Sequence, residues 1–110
     1  MQLSDRLSKI VSMVTKGLRV ADVGTDHGYV PIALVRENIS SKVIAMDVNK
    51  GPLLKAESNV KDAGLSEYID LRLGDGLEAL KPDEADCVVI AGMGGLLMQR
   101  ILTDGAEVVS

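Results

Sequence analysis

The chain has 110 residues, enough for one small domain with a real core, because 46% of its residues are hydrophobic. A net charge of -4 argues against a basic RNA-binding surface on these residues, and one cysteine with one histidine excludes an internal disulfide and disfavours a metal site. No signal peptide and no apolar run of about 18 residues occur, so we predict a cytoplasmic protein without a membrane span or a metal.

The first part of the chain predicts a helix, a strand and a glycine-rich loop. Ser4 is a suitable N-cap, apolar residues follow at helical spacing, and Gly17 ends this helix. Leu18–Val23 is a short apolar strand, and a turn cluster over 24–28 follows it. A helix over 31–37 then begins with a proline, which a first helical turn tolerates.

The rest of the chain continues to alternate between strands and helices. The predicted elements are a strand over 42–47, a helix over 52–63, a strand over 68–73, a short helical piece over 77–80, a strand over 85–91 and a helix over 96–103. Such alternation is typical of a parallel sheet with right-handed crossovers.

We therefore predict an α/β fold of the Rossmann-like type over residues 1–110. It has an incomplete parallel sheet of about four strands in the order 3-2-1-4, with helices on both faces. A fifth strand would begin near 106–110. The fourth strand would be left at an exposed edge, which favours pairing with another chain and hence self-association.

The strongest functional signal is Asp22-x-Gly24-x-Asp26-x-Gly28, at the carboxyl end of the first strand. Ligands bind at this end of a doubly wound sheet, and glycine lets the backbone come close to them. A dinucleotide fingerprint needs glycine at 24, 26 and 29, but Asp26 and Tyr29 stand at the last two positions. A carboxylate there would repel pyrophosphate, which disfavours an NAD-dependent oxidoreductase.

S-adenosylmethionine fits this loop better than a dinucleotide does. Asp22 and Asp26 can face its cationic groups, while the loop amides face its carboxylate. The alternative is that both aspartates only fix turns by bonding to the backbone. His27, between Asp26 and Gly28, either lines the pocket or is a structural hydrogen-bonding residue.

Three further clusters follow the other strands, at the same edge of the sheet. Asp47 ends the second strand, where an acidic residue accepts hydrogen bonds from ribose hydroxyls, and Val48 stands beside it. Gly74-Asp75-Gly76 follows the third strand and would look much the same as a plain turn. Gly92-Met93-Gly94-Gly95 follows the fourth, and its glycines give close backbone access and free amides at the start of a helix.

Several of these runs resemble one known family. The run 20–31, which contains Gly24-Thr25-Asp26-His27-Gly28-Tyr29-Val30-Pro31, is similar to the bacterial tRNA (adenine-N1)-methyltransferases that modify adenine 22. The runs 89–95, Leu3–Leu7 and Gly51–Leu53 are also similar to that family. The likeness covers essentially all 110 residues but only about half of a family member.

The resemblance implies transfer of a methyl group from S-adenosylmethionine to N1 of adenine 22 in tRNA. It also implies later strands and a helical C-terminal extension, absent here, that hold most of the tRNA, so that these residues alone would be inactive. The predicted cofactor contacts are Asp22, Gly24, Thr25, Gly28, Asp47, Val48, Asp75, Gly76, Gly92 and Met93.

On the substrate side we expect Tyr29, Gly94 and Gly95, with Asp26 and His27 as candidates for catalysis. Asp26 could take the proton that the exocyclic amine of adenine loses. The alternatives are a fragment that binds S-adenosylmethionine without catalysis, and a methyltransferase that acts on a protein or a small molecule.

Overall fold

The computed structural model describes residues 5–74, 84–92, 95–101 and 108–109. Within these residues the elements in chain order are α1 (Asp5–Met13), β1 (Val20–Val23), α2 (Tyr29–Arg36), β2 (Val43–Asp47), α3 (Lys50–Asp62), β3 (Ile69–Leu73), β4 (Cys87–Gly92), β5 (Gly95–Ile101) and β6 (Val108–Val109). The predicted order of helices and strands is confirmed from α1 to β4, apart from the helical piece over 77–80, which lies outside the described residues.

The strands form one sheet in the order β3-β2-β1-β4-β5-β6. β1 lies between β2 and β4, and both pairings are parallel, as is that of β2 with β3. Parallel neighbours need a crossover connection, and α2 and α3 provide those from β1 to β2 and from β2 to β3. The predicted parallel order 3-2-1-4 is confirmed.

Gly95–Ile101 form a strand, so the helix predicted over 96–103 is wrong for residues 96–101. β5 pairs antiparallel with β4, with Gly92 opposite Gly95, and β6 pairs antiparallel with β5. A short apolar run such as 96–98 suits a helix or a strand, and the free backbone groups along β4 favour the strand. The sheet is therefore mixed. Because β5 pairs with the edge of β4, the prediction that β4 is an exposed edge strand is also wrong. The argument for self-association through that edge no longer applies.

The core has one layer on each face of the sheet. On one face, Val20, Val43 and Val89 form a buried cluster with the apolar sides of α1, α2 and α3. On the other, Ile44 and Val88 belong to a second buried cluster. A strand that is buried on both faces has a nearly continuous apolar sequence, and the central strands of this sheet have such sequences.

Strand alternation also decides where the acidic residues of the sheet point. Asp22 follows Val20 by two positions, and Asp47 follows Ala45 by two, so both carboxyls lie on the face that the described helices cover. At the opposite end of β1, the Arg19 guanidinium donates to Asp86 from Nε at 3.0 Å and from Nη2 at 2.9 Å.

None of the helices in the described ranges is long and apolar enough to cross a membrane.

Candidate functional site

The loop between β1 and α2 turns tightly over the end of β2. The backbone N–H groups of Gly24 and Thr25 both donate to the Met46 carbonyl oxygen, at 2.9 and 2.8 Å. Gly24, Asp26 and Gly28 have φ angles of 73, 56 and 79°. This region is open to glycine and is tolerated by aspartate more readily than by most residues. The residue types of the Asp22–Gly28 motif are therefore those that the turn needs.

The loop between β1 and α2 packs against α3 and is hydrogen-bonded to it. A Cβ atom at Gly28 would lie 3.1 Å from the Cβ of Ala56, which is fully buried. Three residues further along α3, Asn59 Nδ2 donates to the carbonyl oxygen of His27 at 2.9 Å. The sequence does not indicate either contact, because a loop and a helix thirty residues later share no local pattern.

Asp22 is a buried acid at the end of β1, with 2% of its surface exposed. Burial raises the pKa of its carboxyl to about 7; the Thr25 hydroxyl lowers this pKa and the negative charge of Asp47 raises it. No ion pair to this carboxyl occurs among the described side chains. Asp22 therefore differs from most buried acids, which face a cation.

Thr25 places an unsatisfied buried polar atom in the lining of the same cavity as Asp22. Its Oγ1 is buried close to the Asp22 carboxyl, but it meets no described partner at the distance and angles of a hydrogen bond. Buried polar groups in native proteins are almost always hydrogen-bonded, and each exception calls for an explanation. A bound ligand would provide one.

Asp47 fixes the two loops on either side of it. Its Oδ2 accepts from the backbone N–H of Asp26 at 3.1 Å, and its Oδ1 accepts from that of Asn49 at 2.9 Å. Its own carbonyl oxygen accepts from the N–H of Gly74 at 2.9 Å. A carboxylate has about four lone-pair directions, so two remain for a ligand. Val48 lies beside it with an exposed side chain.

A cavity of about 100 Å³ opens beside the loop. Its lining comes from α1, β1, the loop and α2, and consists of Leu7, Asp22, Gly24, Thr25, Asp26, Tyr29 and Val30. Asp22 and Thr25 are both lining residues, and Gly28, the N-cap residue of α2, provides no side-chain cap. The cavity therefore offers a buried acid, a free hydroxyl and uncapped helix amides to one ligand.

Two larger cavities lie elsewhere and lack this chemistry. One, of about 340 Å³, contains Ser40 and Tyr68 in its lining, and the other, of about 240 Å³, lies between α2 and α3 near Arg36 and Asn59. Neither is lined by a buried polar atom that lacks a partner among the described residues. Size is therefore a poorer guide here than unsatisfied polar atoms.

The outer rim of the site is formed by Asp26, His27 and Tyr29. The Asp26 side chain is 70% exposed, and its Oδ2 lies 3.7 Å from Nδ1 of His27. The ring centroids of His27 and Tyr29 are 5.6 Å apart, with the ring planes tilted by 42°. His27 thus stands beside the cavity rather than in its lining, and the rim presents a carboxylate and two flat rings.

The structure brings together the predicted residues of the Asp22–Gly28 loop and those at the end of the second strand, Asp47 and Val48. Asp75, Gly76, Met93 and Gly94 lie outside the described residues, while Gly92 and Gly95 pair with each other at the end of the β4–β5 ladder. Among the side chains that the structure describes, no three His, Cys, Asp or Glu residues are grouped as metal ligands would be.

Comparison with known proteins shows which proteins this chain is similar to. The chain is 41% identical over 107 residues to the tRNA (adenine(22)-N(1))-methyltransferase of Bacillus subtilis. The aligned residues make up 97% of this chain and 45% of that protein. The chain therefore spans about half the length of this curated relative.

Two solved structures are similar to the fold. A Streptococcus pneumoniae protein in complex with S-adenosyl-L-methionine has a TM-score of 0.80 and 40% identity, over 84% of this chain and 44% of that one. The M. capricolum TrmK in complex with S-adenosyl-homocysteine has a TM-score of 0.78 and 39% identity, over 84% and 42%. The sequence also matches the methyltransferase domain family over residues 3–110. Since that match spans nearly the whole chain, this protein belongs to the methyltransferase domain family.

Proposed function

We propose that this chain forms the S-adenosylmethionine-binding part of a tRNA (adenine-N1)-methyltransferase that modifies adenine 22. The observation that supports this most is the buried carboxyl of Asp22, which forms no ion pair with the described side chains, at the edge where Asp47 also ends its strand. The ligand must bring a cation to Asp22 and hydroxyls to Asp47, and it need bring no phosphate. The names of the similar proteins add tRNA as the substrate, which would place the reaction in the cytoplasm.

Each buried group then has a partner of suitable chemistry. Asp22 accepts from the ligand's ammonium group, and Thr25 with the free amides of α2 binds its carboxylate. Asp47 accepts from the ribose hydroxyls with its two remaining lone pairs, and Val48 contacts the adenine ring. The further contacts that the sequence predicts are Gly24, Gly28, Asp75, Gly76, Gly92 and Met93.

The rim supplies what the target base needs. When bound, the cofactor provides a methyl group that N1 of adenine attacks, so this chain contributes mainly position and charge. The exposed Asp26 carboxylate can accept the proton that the exocyclic amine loses. Tyr29 and His27 offer flat surfaces against which an unstacked base packs. Gly94 and Gly95 remain predicted neighbours of the base.

Calorimetric titration tests the cofactor. We expect S-adenosylmethionine to bind and NAD not to bind. Asp47→Ala should weaken S-adenosylmethionine about 10- to 100-fold, because it removes charge-assisted hydrogen bonds to the ribose and releases the backbone of Asp26 and Asn49.

Glu57→Ala is the matched control, since it removes the same charge from an exposed position of α3. It should leave the affinity for S-adenosylmethionine unchanged. Binding of NAD by the unaltered protein would contradict the proposed function.

Methyl transfer tests the substrate. Because we expect these residues alone to be inactive, the assay uses a protein that carries this chain together with the later strands and the helical extension that the family resemblance implies. With labelled S-adenosylmethionine, a tRNA transcript that has adenine at position 22 should gain one methyl group at N1 of that base, identified by mass spectrometry of the nucleosides. A transcript with guanine at position 22 should gain none. Asp26→Asn keeps the left-handed backbone that asparagine also tolerates, so it should lower kcat with little change in the KM for S-adenosylmethionine. Equal methylation of both transcripts would rule out adenine 22 as the target.

A further inference from the structure

The Asp22 carboxyl is buried, and the negative charge of Asp47 adds to the cost of its ionised form. The nearby charge on β2 is that of Asp47. The loop and α2 contribute Asp26 and Tyr29 to the lining of the cavity that contains Asp22. α1 contributes only the apolar Leu7 to that cavity, and β4 places Val89 opposite Asp22 in the sheet. His27, in the same loop, lies beside Asp26 on the rim. No described neighbour of the Asp22 carboxyl is a cation.

A buried carboxylate without a cation is costly, and the usual response is that the group takes up a proton. Thr25 reduces this cost only in part, because its hydroxyl does not complete a hydrogen bond to the carboxyl. A ligand that brings an ammonium group into the cavity reverses the balance, because the ionised acid is then paired. The empty and the occupied cavity thus favour different protonation states of the same residue.

We propose that the site binds its ligand by exchanging a proton for an ammonium group, so that Asp22 selects nucleosides that carry a charged amino acid over those that do not. The inference rests on the proposed function and extends it. The proton leaves the Asp22 carboxyl for solvent as the ammonium group takes its place, and no covalent bond of the ligand changes. Asp22 is thereby a specificity-determining residue of the site.

The size of the effect follows from linkage. In the empty protein the pKa of Asp22 is about 7, and the bound ammonium group lowers it. Between these two values the complex holds fewer protons than the empty protein, so binding strengthens as pH rises and levels off above 7. At pH 6 binding should release about 0.9 proton, and the Kd should be roughly eightfold higher than at pH 7.5.

The experiment is titration calorimetry of the full chain with S-adenosylhomocysteine at pH 6.0 and 7.5, each in two buffers of different ionisation enthalpy. The difference between buffers counts the protons released. The matched ligand is 5′-methylthioadenosine, which keeps the nucleoside but lacks the ammonium group. We expect proton release with S-adenosylhomocysteine and none with 5′-methylthioadenosine.

Two variants assign the proton to its residue. Asp22→Asn should abolish the proton release and the pH dependence of the Kd, while Glu57→Gln, which neutralises an exposed acid of α3 outside the cavity, should retain both. Binding of S-adenosylhomocysteine without proton release would overturn this inference and leave the proposed function standing. No binding at either pH would overturn both, and unchanged proton release in Asp22→Asn would show that another group titrates.

Discussion

Replacing Asp22 by asparagine should stabilise the ligand-free protein at pH 8 by up to about 4 kcal/mol and change its stability little at pH 4. The carboxyl has a pKa of about 7 in the folded chain, against 3.8 as the ordinary value. Between these values the unfolded chain releases the proton and the folded chain keeps it, so the stability of the unaltered protein falls as pH rises. The amide in Asp22→Asn is neutral throughout and escapes this loss.

Urea denaturation of the ligand-free protein at pH 4, 6 and 8 measures the difference directly. Asp62→Asn, an exposed acid on α3, is the control and should follow the unaltered protein at each pH. A stability difference between Asp22→Asn and the unaltered protein that does not grow from pH 4 to pH 8 would contradict the assignment. The stabilised variant should also bind S-adenosylmethionine more weakly, since a buried acid that destabilises the fold is the feature that recognises the ligand's cation.

Gly28→Ala should lower the free energy of unfolding by about 2–4 kcal/mol. One part of the loss comes from the φ angle of 79°, which an L side chain adopts only with strain. The other part comes from α3, because the new methyl group would lie 3.1 Å from the Cβ of Ala56, a fully buried residue in a helix that cannot easily move.

A matched glycine and a compensating change separate these two parts. Gly64 has a φ of 74° with no atom within 4 Å of an added Cβ, so Gly64→Ala should show the backbone cost alone, about 1 kcal/mol. In a double-mutant cycle, Gly28→Ala should cost less in the Ala56→Gly background, because the shortest contact, the one at 3.1 Å to the Cβ atom, is then absent. Equal losses for Gly28→Ala and Gly64→Ala would show that the loop does not press on α3.

The parallel half of the fold could be predicted because its signals are local. Leu18–Val23 is mostly apolar and is followed by turn residues, and Pro52 and Gly64 delimit the region of α3. The segment 96–101 could not be predicted in the same way. Its apolar residues fit either element, and the choice depends on the free edge of β4, which is a property of the assembled sheet.

The candidate site shows the same division between local and distant information. Gly24, Asp26 and Gly28 could be identified because their left-handed backbone restricts the residue type at each position. The role of Asn59 could not, since its partner is a carbonyl oxygen far away in the chain. Nor could the sequence reveal that no described side chain forms an ion pair with Asp22, because pairing depends on which side chains surround it after folding.

The position of β1 in the sheet has a consequence for synthesis of the chain. Its neighbour β2 begins at Val43, whereas its other neighbour, β4, begins only at Cys87. As the chain leaves the ribosome, β1 and β2 can pair early with α2 packed on them, but the second edge of β1 stays open until β4 emerges. An apolar strand with an open edge readily pairs with other chains. Until β4 joins the sheet, we therefore expect the free edge of β1 to be the place where the nascent chain is most prone to pair with other chains.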